Sequence, residues 1–184
     1  MDFKAVEYNG KQFWKIVTGT PGPVIGDDGP LFKYTVYVQH GLGLHRARVA
    51  RRIDVTLADA RGWTRGAVRF QRVAEGADTD VLVAGPHTVD ALCAPLKTEG
   101  EVSCCQGRKV VINVLRWRNA VAHWTGSVLS YRQMLINHEF GHRIGKGHQN
   151  CGGGGRLAPV MQQQTYGLQG CRANPWPLDH ELLR

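Results

Sequence analysis

Residues 138–148 read HEFGHRIGKGH, the pattern H-E-x-x-H-x-x-G-x-x-H. Two histidines four apart on a helix lie about 40° apart around its axis and about 6 Å apart along it, so the imidazoles of His138 and His142 can reach one metal ion from the same side. Glu139 is displaced around such a helix. It need not ligate, and can instead hydrogen-bond a water at the metal and take its proton. Another helical turn would carry His148 past the ion, so the chain must bend back, and Gly145 permits the positive φ that such an exit usually needs. Three neutral imidazoles leave a fourth position for water, the layout of a catalytic zinc site and not of a closed structural one. The expectation is one catalytic Zn2+ on His138, His142 and His148, with Glu139 as general base. A bare H-E-x-x-H is only suggestive; the added glycine and third histidine at fixed spacing make the pattern specific.

The surrounding sequence supplies a scaffold. The motif helix is expected to start near Thr125 or Ser127, either of which can cap it. Val128, Tyr131, Leu135, His138 and His142 then fall at steps of three or four on one face. Upstream, Lys33 to Val38 (KYTVYV) alternates as a strand should, and Leu44 to about Ala60 fits a helix with Ala50, Ile53 and Leu57 turned to a core until Gly62 stops it. Ala67 to Val73 and Asp80 to Ala84 are further strand candidates, and Lys109 to Leu115 (KVVINVL) is a continuous apolar run best read as a central strand. The Gly- and Pro-rich stretch GTPGPVIGDDGP at 19–30 reads as a lead-in, preceded by an extra strand or a flexible arm. This divides the chain into an N-terminal arm (1–30) and a single domain (31–184). From Cys151 onward periodic stretches are few, so the C-terminal part needs a disulfide or a metal to hold it. The expected class is α/β (α+β): a twisted mixed sheet, two principal helices and an irregular C-terminal subdomain.

Composition limits the partners. A formal charge of +8 over 184 residues favours anionic surfaces. Arg46, Arg48, Arg51 and Arg52 read as a solvated helix face, and without interleaved aromatics or a known binding motif no specific nucleic-acid partner is expected. An anionic cell-envelope surface stays open as a partner. No apolar run is long enough to span a bilayer. The opening MDFKAVEYNGKQFW lacks the features of a signal peptide, which leaves two alternatives, a natural start cut away or a cytosolic protein. Among five cysteines, Cys93 and Cys104 bracket a short loop, and Cys151 and Cys171 bracket a Gly-rich segment. Cys105 is left unpaired or exchanging roles with Cys104. Two local disulfides would fit an extracellular or envelope location; five buried thiols in a cytosolic protein is the other reading. His40, His45, His87, His123 and His180 lack ligand spacing and default to surface or hydrogen-bonding roles, while Trp117, Trp124 and Trp176 default to packing. The glycines at 152–155 are either a rim of the cleft or an ordinary loop.

HEFGHRIGKGH matches the zinc-binding consensus of the metzincin clan of metallopeptidases, and so resembles it. That resemblance implies a methionine-containing turn beneath the metal, and Met161 in APVMQQQT is the methionine available for it. The segments ADARGW, DALCAPLKTEGEVSC, VVINVLRW, NHEFGHRIGKGH and APVMQQQTYGLQGC resemble a family of bacterial secreted or envelope-tethered proteins, catalogued as a domain of unknown function and grouped with metzincins. The likeness runs from about Leu31 onward. It implies an extracytoplasmic setting and the pairings Cys93–Cys104 and Cys151–Cys171. More distantly the chain is similar to snapalysin-type metallopeptidases, which place Asp where His148 stands. Several metzincin groups carry Tyr two residues after the turn methionine; here that position is Gln163. Tyr166 is expected to pack in the C-terminal region, so oxyanion stabilisation would fall to the ion, backbone N–H groups or a glutamine.

The expected function is therefore zinc-dependent endopeptidase activity by a monomer on a peptide or protein substrate. The extended substrate would add to a sheet edge, with Asp80 to Ala84 as the candidate edge. The alternatives are a non-catalytic module whose structural zinc only secures the C-terminal part, and a basic protein whose main role is binding an anionic polymer.

Overall fold

Side chains alternate faces along a strand, so a strand buried on both faces marks a position between two cores. The computed structural model, which describes residues 2–17 and 20–182, has two such strands at its centre. They are β5 (Thr79–Ala84) and β7 (Lys109–Asn113), in a chain that also contains β1 (Asp2–Tyr8), β2 (Lys11–Val17), β3 (Leu31–Gln39), β4 (Arg69–Arg72) and β6 (Cys104–Gln106). The helices are α1 (Arg46–Leu57), α2 (Pro86–Cys93), α3 (Val114–Arg118), α4 (Val128–Arg143) and α5 (Asp179–Leu182).

The strands form one mixed sheet in the order β1-β2-β3-β5-β7-β6, with β4 pairing the first residues of β3. β3, β5 and β7 are mutually parallel, whereas β2 and β6 join antiparallel. Val81 and Val83 of β5, with Val110 and Ile112 of β7, share a core with Ala50, Ile53 and Leu57 of α1 and with Tyr131, Leu135 and Phe140 of α4. The alternate residues Leu82, Ala84 and Val111 face a second core, closed by Val89, Leu92 and Cys93 of α2. α1 and α4 thus cover one face of the sheet and α2 the other. The α/β class and the mixed sheet stand.

Several details correct the sequence reading. Asp80 to Ala84 is no edge: β5 is hydrogen-bonded to β3 on one side and β7 on the other. The edges of the sheet are β1 and β6, and β6, three residues long, is reached through the loop that Cys93 and Cys104 bracket. Just ahead of that loop lies α2, an element the sequence reading left unassigned, whose start has Gly85 as cap and Pro86 in the first turn, a signal the sequence carries. The residues ahead of the Gly/Pro stretch form a hairpin. Its β2 pairs with β3 through Phe13↔Gln39, Trp14↔Val38 and Lys15↔Tyr37, and Phe13 and Ile16 are fully buried. The apolar run at 109–115 ends as a strand at Asn113, where the Asn side chain accepts the Leu115 N–H and starts α3.

Candidate metal centre

Helix α4 carries the motif. Ser127 caps its start, its Oγ accepting the Ser130 N–H at 3.1 Å, which settles the choice between Thr125 and Ser127. At its end the Ile144 N–H still reaches the Phe140 carbonyl, Gly145 adopts φ 92°, and the Lys146 N–H closes back on the Gly141 carbonyl at 2.8 Å. This is a glycine-terminated helix end, and it turns the chain so that His148 meets the two helical histidines.

His142 Nε2 lies 3.2 Å from His138 Nε2 and 3.0 Å from His148 Nε2. The three imidazoles offer ligand atoms all within 4.8 Å of one another, close enough to hold one metal ion. The opposite ring nitrogens fix the tautomers. His138 Nδ1 lies 2.8 Å from the Val160 carbonyl and His142 Nδ1 lies 2.9 Å from the Lys146 carbonyl. A carbonyl only accepts, so each Nδ1 carries the proton and each Nε2 presents a lone pair. Lone pairs held this close are reconciled by a cation between them, so the residues present fit a metal ion. Burial also favours the neutral form that ligation requires. It pushes His138 down to about 3, with the neighbouring His142 adding to the effect, and it lowers His142 and His148 as well.

Glu139 is buried, its Oε2 has no protein partner, and burial alone pushes its carboxyl up to about 8. Together with the histidines it lines a cleft of about 360 Å³. The cleft lies between β6, the loop at 96–103, α4 and the segment 163–166, with walls that include Thr98, Cys105, Met134, Leu135, Gln163 and Tyr166. Tyr166 is 62% exposed here. It stands on the cleft wall and not in the packing expected for it, because the turns at 163–167 leave its ring no core to enter.

Met161 is fully buried and packs against Gly141 in α4, while its carbonyl accepts the Gln149 N–H just beyond His148. Both disulfides are present, Cys93–Cys104 joining the end of α2 to β6 and Cys151–Cys171 spanning the Gly-rich loop. They are compatible with an extracellular protein. Cys105 is free and half-buried. The glycines at 152–155 are not among the cleft-lining residues; Gly155 instead donates its N–H to the Gly170 carbonyl.

The other histidines keep to the surface or hydrogen-bonding roles expected of them, except His40, whose Nε2 is buried without a hydrogen-bond partner. His45 caps α1, His40 stacks on Trp14, His123 meets the Gln164 carbonyl and His180 meets Gln149. Trp117, Trp124 and Trp176 are buried. Among the described residues no helix is long and apolar enough to cross a membrane.

Sequence reading missed Glu181. This carboxylate is buried and accepts the backbone N–H groups of Val160 at 2.9 Å, Met161 at 2.8 Å and Leu178 at 2.8 Å. It lies 33 positions beyond His148 with no motif around it, so nothing in the sequence marked it.

No curated protein and no solved structure matches the chain. A family model described as "Protein of unknown function (DUF3152)" matches residues 2–173, and the chain belongs to that family.

Proposed function

We propose that the chain is a zinc-dependent endopeptidase of metzincin type, acting as an extracytoplasmic monomer. The observation that carries this reading is an unpartnered Glu139 carboxylate oxygen beside three convergent imidazole nitrogens, all lining one open cleft. A purely structural site has no use for that carboxylate. Three imidazoles and no thiolate favour zinc with an open position over a closed structural centre. The buried Met161 directly under α4 supports the turn expected of a metzincin.

Zinc, when bound, would polarise the scissile carbonyl and acidify a water. Glu139 takes the proton of the attacking water at its free carboxylate oxygen and delivers it to the leaving amine, acting first as base and then as acid. His138, His142 and His148, each as a neutral imidazole, would hold the ion. β6 supplies the open strand edge, so an extended peptide would pair antiparallel or parallel to Cys104–Gln106 and pass the motif helix. The edge assignment thereby moves from β5 to β6. Oxyanion contacts fall to the ion, Gln163 or backbone N–H groups.

The test compares wild type with Glu139→Ala on an unstructured protein substrate, with metal content measured on both. The expected result is a variant that retains zinc and loses cleavage by at least a hundredfold. Equal behaviour of the two across a broad substrate panel would overturn the peptidase reading and leave the non-catalytic zinc module standing.

A further inference from the structure

We infer that Glu181 is a positioning residue for the metal: its carboxylate acts through the Val160–Met161 peptide group to orient His138 and strengthen it as a ligand. The inference rests on the metal-site reading above, though not on peptidase activity.

The geometry forms one continuous chain of hydrogen bonds. Glu181 Oε1 accepts the Met161 N–H at 2.8 Å. That N–H belongs to the same peptide plane as the Val160 carbonyl, which accepts His138 Nδ1–H at 2.8 Å. In a trans peptide the N–H and C=O point in opposite directions, so the chain runs from carboxylate through peptide to imidazole, with His138 Nε2 at its far end. Glu181 Oε2 meanwhile accepts the Val160 and Leu178 N–H groups. Three donors thus hold the carboxylate, and the carboxylate holds both sides of the residue whose carbonyl touches the ligand.

Two consequences follow from this arrangement. The peptide plane cannot rotate without breaking bonds to a buried charge, so the tautomer and ring angle of His138 are set before any metal arrives. An anion on the N–H side also polarises the peptide, makes the Val160 oxygen a better acceptor, and increases electron density at His138 Nε2. A metal-ligating histidine commonly passes its second N–H directly to a carboxylate or to a backbone carbonyl. Here both partners occur in series. The carboxylate comes from α5, at the end of the described residues, and so links that helix to the first ligand of the motif.

The Glu181→Gln variant is close in shape and cannot preserve the set. In either orientation its amide NH2 faces at least one backbone N–H that had an acceptor. The measurements are zinc affinity by competition with a chromophoric chelator, the visible absorption of the Co2+-loaded protein, and thermal unfolding in chelator. Wild type is expected to bind zinc, and Glu181→Gln to bind it about tenfold more weakly with altered Co2+ bands. Asp179→Asn, on the same helix but exposed and paired with Arg65, is the control and should match wild type. Should Glu181→Gln fail to fold, Glu181→Asp, which keeps the charge but shortens its reach, is read in its place and should fall between the other two. Wild-type affinity and Co2+ bands in a folded Glu181 variant overturn the relay alone. Absence of zinc binding by wild type overturns the metal site and the relay together.

Discussion

Gly141 faces Met161 across a gap with no room for a methyl group. A Cβ at Gly141 would overlap Met161 Sδ and come within 2.8 Å of the Trp63 ring, and both of those side chains are buried. Gly141 is one of the two unspecified positions inside H-E-x-x-H, so the pattern alone says nothing about it. In an exposed helix, Gly→Ala would gain about 1 kcal/mol from propensity. Overpacking a closed core costs about 1–3 kcal/mol, and here the contacts include an indole ring held by its own hydrogen bond from Nε1 to the Asn137 carbonyl at 2.8 Å. The cost should win. Gly141→Ala is expected to unfold at a lower temperature than wild type by several degrees, and calorimetry checks this; a stabilised variant would show that Met161 moves aside freely.

Metal removal should be visible as lost stability. An ion bound only by the folded chain at a free concentration about a thousand times its dissociation constant adds about 4 kcal/mol. For a domain of this size that is roughly 8–16 °C in melting temperature. Adding a chelator should therefore lower the transition by that order. His142→Ala, lacking the central nitrogen of the three, should melt at the chelated temperature whether or not zinc is present. A wild-type melting curve indifferent to both zinc and chelator would argue against any tight site.

How much of this was legible in the sequence depended on whether the information was local. His138, His142 and Gly145 lie in one helix and its exit, where spacing dictates geometry, and the structure brings them together with His148 as that spacing requires. The edge strand was misplaced because β6 has only three residues, two of them cysteines. The apolar run at 81–84 was in fact the mark of a strand buried on both faces. Glu181 was invisible for a different reason. Its partners are backbone N–H groups, which have no residue identity, and contacts of that kind arise only when the irregular C-terminal segment folds onto α4.

Cys105 provides a pH-dependent probe of the cleft. Burial, followed by the charge of Glu139, pushes its thiol up to about 12. Alkylation requires the thiolate. A thiol of pKa about 12 is only about 0.01% ionised at pH 8, against roughly a quarter for an ordinary cysteine of pKa about 8.5. In chelated protein, alkylation at pH 8 should be about a thousandfold slower than for a model thiol and should rise about tenfold per pH unit through pH 10. Mass spectrometry of the modified peptide gives the rate; a fast, pH-flat reaction would mean the side chain is solvated. Glu139→Gln should speed the reaction above pH 8, where the Glu139 carboxyl, pushed up to about 8, carries the charge that disfavours the thiolate.

The C-terminal segment has almost no regular secondary structure between α4 and α5, so its backbone polar groups must be satisfied otherwise. Two buried amides do much of this. Asn174 donates to the Ala158 and Trp176 carbonyls and its Oδ1 accepts the Trp176 N–H, while Gln164 donates to the Pro159 and Asn174 carbonyls and accepts the Asn174 N–H. These bonds act on the folded state. The Cys151–Cys171 link, with a sequence separation of 20, acts chiefly by constraining the unfolded chain, and a loop of that length is worth about 3 kcal/mol. Converted at 2–4 °C per kcal/mol, the double substitution Cys151→Ser/Cys171→Ser should lower the melting temperature by roughly 6–12 °C while leaving zinc affinity nearly unchanged, because Val160 and Met161 remain held by Glu181. Asn174→Ala strands several buried backbone groups beside that same segment, each costing about 1–3 kcal/mol. It should lower both stability and zinc affinity. Melting curves paired with chelator competition separate the two effects. If the disulfide variant loses metal as readily as Asn174→Ala, then the crosslink and not the buried amide network is what holds the wall of the metal site.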